Sequence, residues 1–268
     1  MKAGFIQIEP VFGKVAENLQ QTESLINCTK ADLLVLPELF NTGYLFTAHQ
    51  EVAELAEEIP GGRTTEFLCG MARRGGSFIV AGLAEREKGR FYNSAVLVSP
   101  RGYLGTYRKI HLFNEEKLWF QPGDRAPELY DLGICRIGIM ICFDWFFPEF
   151  MRILSLKGAD VICHCANLVL PFCQDAMKTR CLENHVYAIT ANRTGQDVRD
   201  GRTLSFTGKS QVTGPHADVL YQAGSIGDEV AVVDIDVSRA RNKNLNPFNH
   251  LYRDRRVEFY RELCEGGK

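Results

Sequence analysis

The sequence predicts an α/β fold in which two β-sheets pack face to face and helices cover their outer surfaces. Three observations lead to this prediction. Apolar runs of strand length recur along the chain, segments with helical periodicity separate several of them, and two further segments have the pattern of β-hairpins. A second sheet packed on the first accommodates this many strands in one unit.

The predicted strands are short runs rich in Val, Ile and Leu, at residues 3–8, 32–37, 77–85, 93–100, 136–142, 159–166, 186–193 and 229–237. Helices are predicted over residues 15–30, 64–74 and 148–158, where apolar side chains recur at helical spacing. The third ends at Gly158, because glycine readily takes the left-handed conformation that closes a helix. Hairpin turns are predicted at residues 100–102 and 214–216, so the sheets should be mixed.

The chain has no internal repeat or linker, so we expect one domain over residues 1–268. From about residue 238 the sequence is basic and aromatic, and its apolar residues do not recur at the spacing of a buried helix or strand. We expect this segment to form a C-terminal arm that lies on another subunit, and a solvated tail is the alternative.

Composition limits the classes of function. The chain has 268 residues, of which 45% are hydrophobic and 24% charged, and a formal net charge of -2. This charge gives no long-range field that would attract nucleic acid or an acidic membrane. No apolar run approaches the ~20 residues of a membrane span, and the N-terminus lacks the apolar core of a signal peptide. The nine cysteines form no CxxC pair and are typical of reduced thiols, so we expect a cytoplasmic protein.

Cys142 stands where an apolar strand gives way to a helix that is predicted to begin at Pro148. A cysteine in an apolar run is usually a small core residue. At a strand-to-helix corner, however, the side chain can be exposed, with free backbone N–H groups aimed at the atom that it attacks. Acyl transfer to sulfur requires this arrangement, so Cys142 is a candidate nucleophile.

A cysteine nucleophile needs a base near it and donors for the oxyanion that it creates. Glu38 directly follows a buried strand. Burial there would raise the pKa of its carboxyl toward neutral pH, which suits a general base. The alternative is that Glu38 caps a helix. Lys109 ends a hairpin strand before an aromatic loop, where a compact cation would stabilise an oxyanion and favour the thiolate. Spacing alone does not rank Lys109 above Lys117, and Arg108 is interpreted as a surface charge.

A Cys–His pair is the rival arrangement. His111 lies just beyond Lys109, and His164 alternates with Cys163 and Cys165 along one predicted strand. Because alternate residues of a strand point to opposite faces, His164 would point away from both cysteines, which weakens a metal site there. We interpret both histidines as core residues.

Three segments, LPELFNTGY with Glu38, YRKIHLF with Lys109 and GIMICFDWFFPE with Cys142, resemble in order and separation the signature blocks of the nitrilase superfamily of carbon–nitrogen hydrolases. The similarity extends over nearly the whole chain. It implies a four-layer αββα sandwich, a homodimer whose sandwich continues across the interface or a larger assembly of dimers, and no metal or organic cofactor.

The resemblance also implies a Glu–Lys–Cys triad. Glu38 would take the thiol proton, Lys109 would stabilise the tetrahedral intermediate, and Cys142 would attack the substrate carbon. The backbone N–H of Phe143 would be a second oxyanion donor.

Further site residues follow from the same resemblance. Glu116 would orient the substrate or the attacking water, with Glu115 as the alternative if the register shifts by one residue. Trp145, Phe146 and the loop that begins near Asn167 would surround the acyl group. The alternative for the two aromatic residues is that they only pack the helix start.

The implied activity is hydrolysis of a non-peptide carbon–nitrogen bond in a small molecule, through a cysteine thioester and with release of ammonia or an amine. A small aliphatic amide or carbamoyl compound is the first expected substrate. A small aliphatic nitrile is the second, and acyl transfer to an amine is the third. A non-catalytic dimeric binding protein is the alternative of another class, and the presence of all three triad residues argues against it.

Overall fold

Two six-stranded β-sheets form the centre of the protein, in a computed structural model that describes residues 1–265. From edge to edge, the first sheet contains β14 (Glu229–Asp234), β1 (Lys2–Gln7), β2 (Leu33–Val35), β3 (Phe78–Glu87), β4 (Arg90–Ser99) and β5 (Gly102–Arg108). The second contains β13 (Val219–Gln222), β12 (Gln211–Thr213), β9 (Tyr187–Ala191), β8 (Val161–Cys165), β7 (Arg136–Ile141) and β6 (Leu129–Asp131). A separate hairpin consists of β10 (Gln196–Arg199) and β11 (Arg202–Ser205).

Helices flank the sheets and connect their strands. They are α1 (Val15–Asn27), α2 (His49–Leu55), α3 (Arg63–Gly75), α4 (Glu116–Trp119), α5 (Pro148–Lys157), α6 (Cys173–Asn184) and α7 (Val237–Arg241). Short 3₁₀ segments cover Cys142–Phe146, Val257–Phe259 and Arg261–Cys264. No helix among the described residues is long and apolar enough to cross a membrane.

Each sheet has a parallel centre and antiparallel edges. In the first sheet β1, β2 and β3 are parallel, and in the second β7, β8 and β9 are parallel. The remaining pairs are antiparallel, including both predicted hairpins, β4–β5 and β12–β13. The carboxyl ends of parallel strands meet at one edge of a sheet, and the residues that follow β2 and β7 lie at such edges.

Side-chain alternation along the strands produces the layers. In β1, Phe5 faces the core between the sheets, whereas Ile6 packs in a second core with Leu19 of α1 and Leu68 of α3. Met177 of α6 belongs to the core that contains the second sheet. The order is therefore helix, sheet, sheet, helix, which confirms the predicted α/β fold.

The C-terminal segment makes several contacts with its own chain. Arg241 pairs with Asp160 at 3.0 Å, and Lys243 Nζ donates to the carbonyl oxygen of Asn184 at 2.9 Å. The Tyr252 hydroxyl donates to the same Asn184 carbonyl at 3.1 Å. Residues 244–249 and almost every residue from 253 to 265 are exposed, although Arg255 and Tyr260 line a shallow cavity with Arg152 of α5. The arm from about residue 238 stays a prediction. The last three residues of the predicted domain, 266–268, lie outside the described residues.

Candidate active site

Cys142 occupies a sharp corner between β7 and the 3₁₀ turn that follows it. Its φ is +40°, a left-handed conformation that costs a non-glycine residue energy and is maintained by the surrounding contacts. His164 Nε2 lies 3.0 Å from the Cys142 carbonyl oxygen, and the Cys142 thiol lies 3.8 Å from the Asn167 carbonyl oxygen. The side chain is nearly buried, and its corner is strand-to-helix, as the sequence predicts.

Glu38 is fully buried just beyond β2. Strand β3 approaches its backbone so closely that a Cβ on Gly82 would stand 2.5 Å from the Glu38 Cα, so only glycine fits there. Glu38 Oε1 accepts hydrogen bonds from Asn93 Nδ2 at 2.6 Å and Lys109 Nζ at 2.7 Å. Oε2 has no hydrogen-bond partner among the described residues, which leaves it available to a thiol proton. Burial raises the pKa of Glu38 to about 7, although the Lys109 cation acts in the opposite direction.

Lys109 is a fully buried cation between two carboxylates. Its Nζ donates to Glu38 Oε1 and to Glu116 Oε1, both at 2.7 Å. Burial alone would lower the pKa of Lys109, but these two carboxylates raise it above the ordinary value, so the group stays protonated. An ammonium has three N–H donors, and two are used here, so one remains for a developing oxyanion. Lys117, which spacing could not exclude, is exposed.

The Cys142 thiol is neutral in the resting protein. Burial, and next the charge of Glu38, raise its pKa well above the ordinary value, and Lys109 only partly opposes them. The charge of Lys109 favours the thiolate, as expected, but burial and the charge of Glu38 outweigh this effect.

Asp144 joins the cysteine corner to the loop that carries Lys109. Its Oδ2 accepts hydrogen bonds from the Ile141 N–H at 2.9 Å and the Tyr107 hydroxyl at 2.8 Å. Its Oδ1 lies 2.7 Å from His111 Nδ1. One buried carboxylate thus fixes the residues beside both Cys142 and Lys109.

Comparisons with known proteins identify the family. The carbon-nitrogen hydrolase family model matches residues 2–244. The chain belongs to this family. It is 49% identical over 263 residues to a nitrilase from Pyrococcus abyssi, across 97% of this chain and 99% of that protein. It is 35% identical over 271 residues to an (R)-stereoselective amidase from Pseudomonas sp., across 99% of this chain and 95% of that protein.

A solved structure supports the same assignment. The crystal structure of a carbon-nitrogen hydrolase from Helicobacter pylori G27 superposes with a TM-score of 0.90 at 26% identity, across 99% of this chain and 98% of that one. The protein is thus an enzyme of the nitrilase superfamily, a carbon–nitrogen hydrolase.

The two neighbouring glutamates of this hydrolase have different partners. Glu116 is buried and contacts Lys109, and its Oε1 also accepts a hydrogen bond from the Tyr44 hydroxyl at 2.7 Å. Glu115 instead pairs with Arg202 at 2.6 Å. The geometry therefore associates Glu116, and not Glu115, with the Lys109 cation.

Other predicted residues lie at varying distances from the thiol. Phe143 is in the first turn of the 3₁₀ segment, where backbone N–H groups have no acceptor within the helix. Asn167 contacts the thiol through its carbonyl oxygen, and its Nδ2 donates to the Glu38 carbonyl oxygen at 2.8 Å. Trp145 is buried in the core, and Phe146 is 53% exposed and lies against it, with ring centroids 5.1 Å apart. The burial of Trp145 and its contact with Phe146 are what the packing alternative expects.

The histidines are held by structural hydrogen bonds. His164 is fully buried between the Cys142 carbonyl and Thr190 Oγ1, and burial lowers its pKa to about 4. His111 stacks on Phe147 with ring centroids 3.8 Å apart. No group of three His, Cys, Asp or Glu side chains within residues 1–265 is arranged to hold a metal ion.

Sequence reasoning missed several side chains of the site. Asn93 lies within strand β4, where an asparagine is unusual. This unusual position could have indicated a functional residue. Tyr44 lies within the LPELFNTGY segment but six residues beyond Glu38, and nothing in the spacing distinguished it. Arg108, interpreted as a surface charge, is instead largely buried against Glu85 and over the ring of Tyr92.

Proposed function

We propose that this enzyme hydrolyses small aliphatic amides or carbamoyl compounds through a thioester on Cys142. The observation that carries the proposal is the buried, unpartnered Glu38 Oε2, on a carboxyl whose pKa is about 7, in the site that contains Cys142 and Lys109. A general base works best when its pKa lies near the working pH. No metal or organic cofactor takes part in this scheme.

In the first half of the reaction, the Cys142 sulfur forms a bond to the amide carbon and its proton passes to Glu38. The carbonyl oxygen becomes an oxyanion, which the free N–H of Lys109 and the backbone N–H of Phe143 stabilise. The carbon–nitrogen bond then breaks, and the leaving nitrogen takes the proton from Glu38 and departs as ammonia. Glu116 holds Lys109 in position for this step.

In the second half, a water molecule adds to the thioester carbon and gives its proton to Glu38. The carbon–sulfur bond breaks, the sulfur regains the proton, and the carboxylic acid departs. The sum is one amide and one water converted to one acid and one ammonia. Because Cys142 is neutral at rest, each proton transfer accompanies bond formation or cleavage at carbon.

A nitrilase activity on small aliphatic nitriles is the second candidate. The relative from Pyrococcus abyssi, which is 49% identical, carries the name nitrilase, and this observation favours it. The amidase from Pseudomonas sp. is 35% identical and supports the first candidate.

A panel of small amides, carbamoyl amino acids and nitriles, assayed for ammonia with the wild type and Cys142→Ala, tests the proposal. We expect ammonia from amides, and none with Cys142→Ala, whose fold should be intact by circular dichroism. Ammonia from nitriles alone would reverse the order of the two candidates. Wild-type rates in Cys142→Ala would remove this cysteine from the mechanism, and no ammonia across the panel would favour a binding protein.

We also propose that the chain forms a homodimer in the cytoplasm, with the segment after Tyr252 on the partner subunit. Val257, Phe259 and Leu263 are each at least 60% exposed, and an apolar surface of this kind is usually covered. All nine cysteines are free thiols, which suits a reducing compartment.

A further inference from the structure

A small cavity opens beside the candidate active site. Its volume is about 50 Å³, far below the ~300–1,000 Å³ of pockets for drug-sized ligands. Its lining is mostly apolar and includes Phe113, Trp119, Val169 and Leu204, together with Tyr44 and Glu116.

Tyr44 connects this cavity to the reacting groups. Its hydroxyl donates to Glu116 Oε1 at 2.7 Å, and Glu116 in turn contacts Lys109. Lys109 also donates to Glu38, so a chain of hydrogen bonds runs from the cavity wall at Tyr44 to the carboxyl proposed as the base. A substrate whose carbonyl carbon meets the Cys142 thiol can therefore place its acyl substituent in this cavity.

Leu204 reaches the cavity from the hairpin β10–β11. The antiparallel register pairs Asp197 with Leu204 and Arg199 with Arg202, so these four side chains share one face of the hairpin. That face is turned toward the protein, while Val198 on the opposite face is 68% exposed.

Hydrogen bonds to Tyr44 and Leu45 and an ion pair with Glu115 attach this inner face to two sides of the cavity lining. Asp197 Oδ2 accepts the backbone N–H groups of Tyr44 and Leu45 at 3.1 and 3.0 Å, and Asp197 is itself paired with the buried Arg193. On the other wall, Arg202 Nη1 donates to both carboxylate oxygens of Glu115, at 2.7 and 2.6 Å. Because the hairpin is held at both sides, Leu204 cannot readily withdraw to admit a larger group.

We propose that Leu204 is a specificity-determining residue that limits the acyl group of the substrate to a short, uncharged aliphatic chain. This inference rests on the proposed amide hydrolysis and adds the identity of the acyl group. The size limit follows from the small volume and from the fixed hairpin. The preference for an uncharged acyl group follows from the mostly apolar lining, which among the described residues contains no Lys or Arg side chain to pair with an anion.

The test compares Leu204→Ala with Val198→Ala, a truncation on the outer face of the same hairpin. The values of kcat/KM are measured for acetamide, propanamide, butanamide and hexanamide. One methylene in an apolar pocket typically changes kcat/KM by about 10-fold or more. We expect wild type and Val198→Ala to favour the shorter amides, and Leu204→Ala to raise the hexanamide-to-propanamide ratio by at least about 10-fold. An unchanged ratio in Leu204→Ala would overturn the inference and leave the proposed function intact.

A second measurement does not depend on turnover. The rates at which 2-chloroacetamide and 2-chlorohexanamide alkylate Cys142 are measured by mass spectrometry of the intact protein. The modified peptide is then identified after digestion. Leu204→Ala should accelerate only the reaction with the larger reagent, relative to Val198→Ala. Equal acceleration with both reagents, or none, would contradict the assignment of Leu204. If no protein releases ammonia while the alkylation pattern holds, the proposed function fails and the size limit stands.

Discussion

Replacing Glu38 by glutamine should abolish the acidic limb of the pH–rate profile. Glu38 is a base only when ionised, and burial raises its pKa to about 7. Activity should therefore be lost as the pH falls through 7, in contrast to an ordinary carboxyl, which would stay ionised down to its usual pKa of 4.5. Below pH 7 the ionised fraction falls tenfold per unit, so kcat/KM at pH 5 should be about 100-fold below its plateau.

Glu38→Gln keeps the size of the side chain and an oxygen that can accept from Asn93 and Lys109, but it cannot take a proton. Loss of a general base typically costs about 10²–10⁴-fold in rate. We expect a loss of this size at pH 8, with a residual rate that no longer falls between pH 8 and pH 5.

The assay is initial ammonia release from one amide between pH 5 and pH 9, with protein integrity checked by circular dichroism at each pH. Glu54→Gln, at an exposed glutamate remote from the site, is the matched control and should reproduce the wild-type profile. An acidic limb that persists in Glu38→Gln, or a wild-type midpoint near 4.5, would refute the assignment of Glu38 as the base.

Lys109→Met should lower the free energy of unfolding by about 3–5 kcal/mol in urea titrations, because it leaves the carboxylates of Glu38 and Glu116 buried without a cation. An unchanged urea midpoint of unfolding would contradict a buried ion network of Lys109 with Glu38 and Glu116. Asp144→Asn should lower the free energy of unfolding by about 1–3 kcal/mol and reduce kcat, because an amide offers one acceptor oxygen where Tyr107 and His111 now use both carboxylate oxygens. Wild-type stability and kcat in this variant would show that Asp144 does not fix the two loops. Removal of residues 253–268 should weaken self-association in sedimentation while the melting temperature is kept, and an unaltered dimer would show that this segment does not bridge subunits.

The sequence predicted those features of the fold that depend on local pattern. Apolar runs located the central strands, and Gly158 marked the end of α5, where the structure shows a φ of +103°. Strand β6 was missed because it has only three residues, too few to show a pattern. The hairpin β10–β11 was missed because its residues are mostly polar. Their positions depend on tertiary contacts, such as the ion pair between Arg202 and Glu115.

The same distinction applies to the site. Glu38, Lys109 and Cys142 each stand at a strand end, which made them candidates. Spacing did not separate Lys109 from Lys117, and the three residues were assigned as a triad by the resemblance of their segments to the signature blocks of the family. Their protonation states were not accessible from sequence, because the pKa of Cys142 depends on the balance between burial and the charges of Glu38 and Lys109. Asp144 lies two residues after Cys142 and was not singled out, because its partners Tyr107 and His111 are 37 and 33 residues away along the chain and become neighbours only on folding.

The most direct test of the account is whether the amide carbon becomes bonded to Cys142. The wild type is mixed with a small amide labelled in its acyl group, quenched in acid within one turnover, digested and analysed by tandem mass spectrometry. The account predicts the labelled acyl group on the peptide that contains Cys142, and its absence in Cys142→Ala. Ammonia release at the full rate with no acyl group on this peptide would contradict it.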